Sequence, residues 1–452
     1  MNRDLTKGPV MRSMLRFAVP MILGNLLQQC YNIADTLIVG KYLGSNALAA
    51  VGSSFTLMTF LTSILLGLCM GSGAVFSIRF GRRDMRGLRE SAGASFALIA
   101  ALTLMLNAAA YASLDGVRIF LRVPGEVWGL MRCYLAVIYA GIAAAFLYNY
   151  FASFLRAIGN SMVPLLFLAV SALLNIALDL WFVLGMEWGV AGAALATVIS
   201  QYVSGIGIFV YTLFWCGELR PFRECLRIRA GCVREIAGFS VLTCIQQSVM
   251  NLGILLVQGL VNSFGPVVMA AFAAAVKIDA FAYMPVQDFG NAFSTFIAQN
   301  YGAKEKERIQ SGLNGAAAFS FLFCLVVSAA VCLFAGPLMG LFVDAAETGI
   351  KEEGMRYLRI EGAFYCGIGC LFLLYGLYRA LGKPGMSVVL TVISLGTRVA
   401  LAYLLSTAPG IGVAGIWWSI PIGWFLADVV GAAYYFAHRK TLLWMGTEYG
   451  GT

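Results

Sequence analysis

Twelve transmembrane helices in two six-helix bundles, with no β-structure, form the fold this 452-residue sequence predicts, and three observations predict it. Sixty per cent of the residues are hydrophobic and 12% charged, against roughly 45–50% apolar and 25% charged in soluble domains. The apolar runs reach about 20 residues or more, the length of a membrane-crossing helix and not of the roughly ten-residue alternating strands of a barrel. Finally, blocks of sequence from the first half recur in the second at a nearly constant offset.

Between charged and Gly/Pro punctuation the apolar spans fall at about 14–40, 46–78, 90–114, 127–155, 161–184, 189–215, 235–263, 267–298, 309–334, 355–380, 384–406 and 411–437. Spans longer than the bilayer requires imply tilt or kinks, and Pro20, Pro285 and Pro421 are the candidates for the latter. With the N-terminus taken as cytoplasmic, 22 Lys and Arg residues fall in connections on that side, against Lys41, Arg118, Arg122 and Lys351 on the other. That bias places both termini in the cytoplasm of a multi-pass protein of the plasma (inner) membrane. It also accounts for the net charge of +9 without a nucleic-acid partner. The polar start Met1–Lys7 leads into a span too long for a cleaved signal sequence.

Internal repetition organises the chain. Gly44, Ala49-Ala50 and Gly81 recur as Gly265, Ala270-Ala271 and Gly302, shifted by 221; Arg156-Ala-Ile-Gly159 and Gly189-Val-Ala-Gly192 recur as Arg379-Ala-Leu-Gly382 and Gly412-Val-Ala-Gly415, shifted by 223. Six spans per unit is an even number, so the halves enter the membrane in the same sense and their pseudo-two-fold axis lies along its normal. The expected organisation is an N-terminal lobe over 1–215, a basic cytoplasmic linker over 216–234 and a C-terminal lobe over 235–452.

Charged groups inside apolar runs mark function, because an ionised carboxylate in hydrocarbon needs a partner, hydration or a bound cation. Asn175 and Asp179 interrupt the fifth span on one helical face. Counted from the cytoplasmic ends of their spans, Asp35 and Asp179 rise by about 28 and 27 Å, which puts them at one level. Thr197 and Tyr134 reach a similar depth, and Tyr31 lies one turn from Asp35. Two carboxylates with amide and hydroxyl oxygens suit a proton or a sodium ion, so Asp35, Asn175, Asp179 and Thr197 are the candidate cation site, a sodium ion's ligands if sodium is the coupling ion. The repeat-equivalents of Asp35, Asn175 and Asp179 are Leu256, Arg398 and Ala402, so this acid pair belongs to one half.

The second half carries its own polar residues: Lys277, Asp279 and Asp288 on the eighth span, Gln246, Gln247 and Asn251 on the seventh, Glu361 on the tenth and Asp428 on the twelfth. A network of Lys277, Asp279, Gln246 and Asn251 reads equally as structural or as contacting substrate. Phe146, Tyr150, Phe154, Met250 and Met284 read as packing or as the lining of a cavity for flat cations. The eleven cysteines lack zinc or redox spacing and read as small buried residues. No phosphate-binding loop, metal cluster or nucleophile–base motif is evident, so an enzyme or an ATP-driven pump is not expected, nor any cofactor beyond the coupling ion.

Gln28-Gln-Cys-Tyr-Asn-Ile-Ala-Asp35-Thr-Leu-Ile-Val-Gly40 after Pro20, then Leu43-Gly44, Ala47-Leu-Ala-Ala-Val-Gly52, Gly67, Gly71, Gly81 and Gln299-Asn-Tyr-Gly-Ala303, resemble in their joint order the multidrug and toxin extrusion (MATE) family. The resemblance spans the chain. It implies secondary active export of organic, often cationic compounds by a monomer that alternates access between two lobes, driven by proton or sodium entry. It implies further that Asp35, Asn175, Asp179 and Thr197 bind the cation in the N-terminal lobe, supported by Tyr31, Tyr134 and Asn149. Gln246 and Gln247 stand on the seventh span where sodium-coupled and eukaryotic members carry a glutamate, so coupling is expected through the N-terminal lobe. The rivals are a lipid-linked oligosaccharide flippase of the same superfamily, whose pyrophosphate would call for cavity-facing cations such as Lys277 and Arg398, and a non-transporting receptor or scaffold, which has no need of buried acids.

Overall fold

The computed structural model describes residues 4–120, 123, 125–219, 229–344 and 346–444. These residues contain helices, turns and no strand. In chain order the helices are α1 (Val10–Leu43), α2 (Ser45–Gly81), α3 (Met85–Ala112), α4 (Leu114–Phe120), α5 (Gly125–Ile138), α6 (Ile142–Ala157), α7 (Met162–Asp179) and α8 (Gly189–Trp215). The second series is α9 (Ala230–Asn262), α10 (Pro266–Gly302), α11 (Lys306–Leu333), α12 (Ala335–Met339), α13 (Thr348–Gly362), α14 (Tyr365–Ala380), α15 (Pro384–Ser406) and α16 (Val413–Trp444). Eleven segments are long and apolar enough to cross a membrane, and α13 with α14, bent by 51° at their break, makes a twelfth. Pro20, Pro285 and Pro421 all lie inside continuous helices.

The repeat seen in the sequence recurs in the helix boundaries. α10 and α11 begin and end at the positions of α2 and α3 shifted by 221, and α14 at those of α6 shifted by 223. Small residues recur where the backbone demands them. Gly159 and Gly382 follow α6 and α14 at φ of 85° and 76°, and Gly189 opens α8 and Gly412 precedes α16 at 57° and 53°, a left-handed region that costs glycine nothing. The fourth span of each series breaks at one place, Tyr139–Gly141 in a tight 3₁₀ turn and Gly362–Phe364 between α13 and α14.

The chain divides into two compact units. One comprises Met1–Asp4 and Leu23–Cys244, the other Leu5–Ile22 and Ile245–Thr452. Residues 220–228 of the expected linker, with Arg220, Arg223 and Arg227, and also Arg122, lie outside the described residues.

In the first unit, the small residues of α2 let α9 approach: a Cβ on Gly67 would sit 2.5 Å from the Cys244 Cα, and one on Gly71 2.5 Å from the Phe239 carbonyl oxygen. Ser72 and Ser240 hydrogen-bond across the same contact at 2.9 Å. Phe146, Tyr150 and Phe154 are buried among Phe76, Phe96 and Phe151 in edge-on and tilted ring contacts, so of their two readings the structure selects packing. In the second unit α15 and α16 meet backbone to backbone, where a Cβ on Gly423 would lie 2.4 Å from the Ser394 carbonyl oxygen. The cysteines correct the expectation of general burial: Cys69, Cys216, Cys232 and Cys324 are buried, but Cys30, Cys133 and Cys370 are exposed.

Candidate functional site

Four helices of the first unit converge on the residues singled out in its sequence. The second half of α1 carries Tyr31 and Asp35 one turn apart, α5 carries Tyr134, α7 carries Asn175 and Asp179, and α8 carries Thr197. The Asp35 and Asp179 carboxyl groups face each other within hydrogen-bonding range. Tyr31 and Tyr134 both lie within the electrostatic reach of the pair, and the Tyr31 hydroxyl is bonded to the Gln28 side chain. Asp179 is the last residue of α7, beyond which the chain widens into π-helical turns over Leu180–Gly185. Such a widening loosens the backbone ladder and is common beside functional residues.

Asn175 shows how the site is polarised. Its amide nitrogen donates to Thr197 Oγ1 at 3.3 Å, and that hydroxyl donates in turn to the Ala193 carbonyl at 3.2 Å. The donors are therefore spent on protein acceptors and the oxygens are left over. Asn175 Oδ1, Asp35 Oδ1 and both carboxylate oxygens of Asp179 are buried and accept no hydrogen bond from a protein donor. Asp179 is fully buried and Asn175 nearly so. The charged group acting on each carboxylate is the other carboxylate. An all-oxygen set of two carboxylates, an amide oxygen and a hydroxyl fits a proton or a hard monovalent cation. Among the described residues no group of three or more His, Cys, Asp or Glu is arranged to hold a metal ion.

Asn149 donates its amide to the Ala145 carbonyl one turn back at 2.8 Å, and among the described residues no hydrogen bond joins it to this group.

The expected polar network of the second half needs correction. Lys277 is exposed while Asp279 is buried, because residues two apart leave a helix on different faces. Asn251 donates to the Gln247 carbonyl in its own helix at 3.2 Å, and among the described residues no hydrogen bond joins Gln246 or Asn251 to Asp279. Asp279 instead faces Glu361 of α13. Tyr365 and Tyr357 donate to its two oxygens at 2.5 and 3.5 Å. Arg398 of α15 acts on both carboxylates, and Tyr283 lies beside them. The sequence does hold a signal for this cluster. Tyr357 and Arg398 are the repeat-equivalents of Tyr134, which lies beside the acid pair of the first unit, and of Asn175, one turn before Asp179 on α7.

The MatE family model matches this chain twice, over residues 20–181 and 242–404, which together cover most of its length. The chain belongs to the MatE family. Each match takes in one repeat, as expected of a family built by duplication. The chain is 28% identical to the probable multidrug resistance protein YpnP of Bacillus subtilis, over 98% of this chain and 99% of that one. It is 24% identical to the multidrug export protein MepA of Staphylococcus aureus, over 92% and 91% of the two chains. Among solved structures, a MOP superfamily transporter from Pyrococcus furiosus superposes with a TM-score of 0.90 at 25% identity, covering 97% of this chain and 98% of that one. An outward-facing multidrug resistance MATE transporter gives 0.89 with the same identity and coverage. This MatE chain is thus a multi-pass membrane transporter of the multidrug type, not a member of an enzyme family.

Proposed function

We propose that this protein is a proton- or sodium-coupled antiporter that exports organic, mostly cationic compounds by alternating access, with Asp35 and Asp179 carrying the coupling cation. One observation bears most of the weight: two carboxylates buried together, surrounded by neutral oxygens and tyrosines, with no built-in counter-charge among the described residues. In a low-dielectric interior that pair is stable only after it gains positive charge. A proton entering down its gradient protonates one carboxyl and lets it donate to the other. A sodium ion entering likewise is held by the same oxygens with those of Asn175 and Thr197. Either event converts a mutually repelling α1–α7 contact into an attractive one. That difference in contacts biases a two-state helix arrangement, which is what coupling requires. Halving the pair's negative charge also weakens its attraction for a cationic substrate, so cation and substrate compete and exchange for one another.

The same reading takes the protein to act as a monomer in the plasma membrane with both termini in the cytoplasm, in keeping with the excess of Lys and Arg in the connections of that side.

The test is efflux of a cationic dye from proteoliposomes under an imposed proton gradient, and separately under an imposed sodium gradient with the proton gradient collapsed. Wild-type protein is expected to accelerate efflux under one of the two. Asp179→Asn, which keeps shape and removes the charge, is expected to reduce the driven component about tenfold or more, the scale of losing one buried charged group. Undiminished gradient-driven efflux in the variant would sink the role given to the pair.

A further inference from the structure

The two repeats present equivalent positions to a buried carboxylate pair, but with opposite counter-charge. In the first unit Tyr134 lies beside Asp35 and Asp179, and Asn175 stands one turn before Asp179 with its oxygen buried and unbonded. In the second, their repeat-equivalents Tyr357 and Arg398 face Asp279 and Glu361. The acids themselves come from different positions: Asp279 and Glu361 align with Met58 and Ile138, while Asp35 and Asp179 align with Leu256 and Ala402. Repacking thus produced a like pair twice, and the side chain on the middle of α7 or α15 decides what neutralises it.

We infer that Arg398 is a tethered counter-cation, which does permanently in the C-terminal unit what a soluble monovalent cation does transiently in the N-terminal one. Three observations carry this. Asp279 and Glu361 are each about 3% exposed, so neither charge is answered by water. The charged groups facing them are each other and Arg398; the remaining titratable neighbours are Tyr283, Tyr357 and Tyr365, while Lys277 is exposed. Lastly, Glu361 Oε2 and Arg398 Nε are both buried and make no hydrogen bond, and among the described residues no ion pair joins Arg398 to either acid, so the guanidinium acts on them through its field. Two carboxyls and one guanidinium leave one negative charge. A proton held between Asp279 and Glu361, with Tyr365 and Tyr357 donating to Asp279, makes the group neutral. The N-terminal pair has no such fixed partner among the described residues and needs one more soluble cation to reach the same state. Cation binding is thereby confined to one unit of a duplicated protein.

The inference rests on the cation role proposed for Asp35 and Asp179, and its test separates the two. Radioactive sodium binding, and proton uptake after an acid jump read with a pH indicator, are measured on the detergent-purified full chain as wild type, D179N, D179N/R398Q and D179N/R398K. D179N is expected to lose binding relative to wild type. D179N/R398Q is expected to regain about one ion per chain, because the C-terminal pair has lost its counter-charge, and D179N/R398K is expected to stay silent. The sodium and proton arms tell which ion enters. No gain in D179N/R398Q, or an equal gain in D179N/R398K, overturns the inference. Equal binding by wild type and D179N overturns the reading of the N-terminal pair instead, and the comparison between D179N and D179N/R398Q still decides the role of Arg398. If R398Q folds poorly, sodium, acid or the added change E361Q is expected to raise its melting temperature, and failure of all three counts against the counter-charge.

Discussion

The N-terminal and C-terminal units solve one electrostatic problem in two ways. Each buries two carboxylates beside an equivalent tyrosine. In the N-terminal unit the α7 residue one turn before Asp179 is Asn175, whose amide is spent on Thr197 and whose oxygen is buried and unbonded. In the C-terminal unit the equivalent α15 position is Arg398, and the pocket carries its own cation. The difference teaches that duplication repeats the helices but not the chemistry they carry. On the reading proposed above, the side chain at this one equivalent position, Asn175 or Arg398, decides whether a soluble cation is needed. It also explains why a charged cluster with tyrosine donors is not by itself a sign of transport.

The most drastic way to break this contrast is to give the N-terminal unit the other unit's solution. Asn175→Arg would place a tethered guanidinium against Asp35 and Asp179. Gradient-driven dye efflux is expected to fall to the background of empty vesicles, while the protein stays folded, because the new charge is paired on arrival. Fluorescence-detected gel filtration and melting temperature check the second half of that expectation. Substantial coupled efflux in N175R would show that the pair need not be vacated by its counter-charge during the cycle.

A smaller effect is expected from the backbone that seats the two side chains. α15 and α16 touch at Gly423, whose added Cβ would meet the Ser394 carbonyl, and the Arg398 Cβ lies 3.5 Å away. Gly423→Ala forces two backbones apart and is expected to cost about 1–3 kcal/mol. Its repeat-equivalent in the other unit is Ser200, where Ser171 bonds to the backbone carbonyl at 2.9 Å and the Ser200 hydroxyl bonds to the Thr197 carbonyl at 2.9 Å. Ser200→Ala removes one hydrogen bond, about 1 kcal/mol or less. Paired melting curves check the ranking, and equal losses would show that the two helix contacts are not set by residue size at this position.

Much of this is legible in the sequence. Twelve spans follow from runs of apolar residues long enough to cross a bilayer, and the duplication from glycines that recur because left-handed backbone recurs. Asp35, Asn175, Asp179 and Thr197 can be grouped by counting helical rise, because long straight helices turn sequence distance into depth. The second cluster cannot be grouped that way, for a physical reason. Asp279, Glu361 and Arg398 stand on three helices, and which face each helix turns inward is settled by packing. Lys277 is drawn in by its nearness in sequence to Asp279, although two residues of helix put them on different sides. The bend between α13 and α14 reads as one straight span, since its break at Gly362–Phe364 interrupts the geometry but not the hydrophobic run. Rings such as Phe146 and Tyr150 carry no signal in the sequence that separates core from cavity wall.

The most direct measurement of the N-terminal pair's role is cation release on substrate binding. A cationic dye is added to the detergent-purified full chain, loaded first with protons or with radioactive sodium, and the ion appearing in solution is counted per dye bound. We expect about one ion released per dye in wild type and none in D179N, since substrate and cation exchange at charge set by Asp35 and Asp179. Release from D179N equal to wild type would contradict the assignment of coupling to this pair.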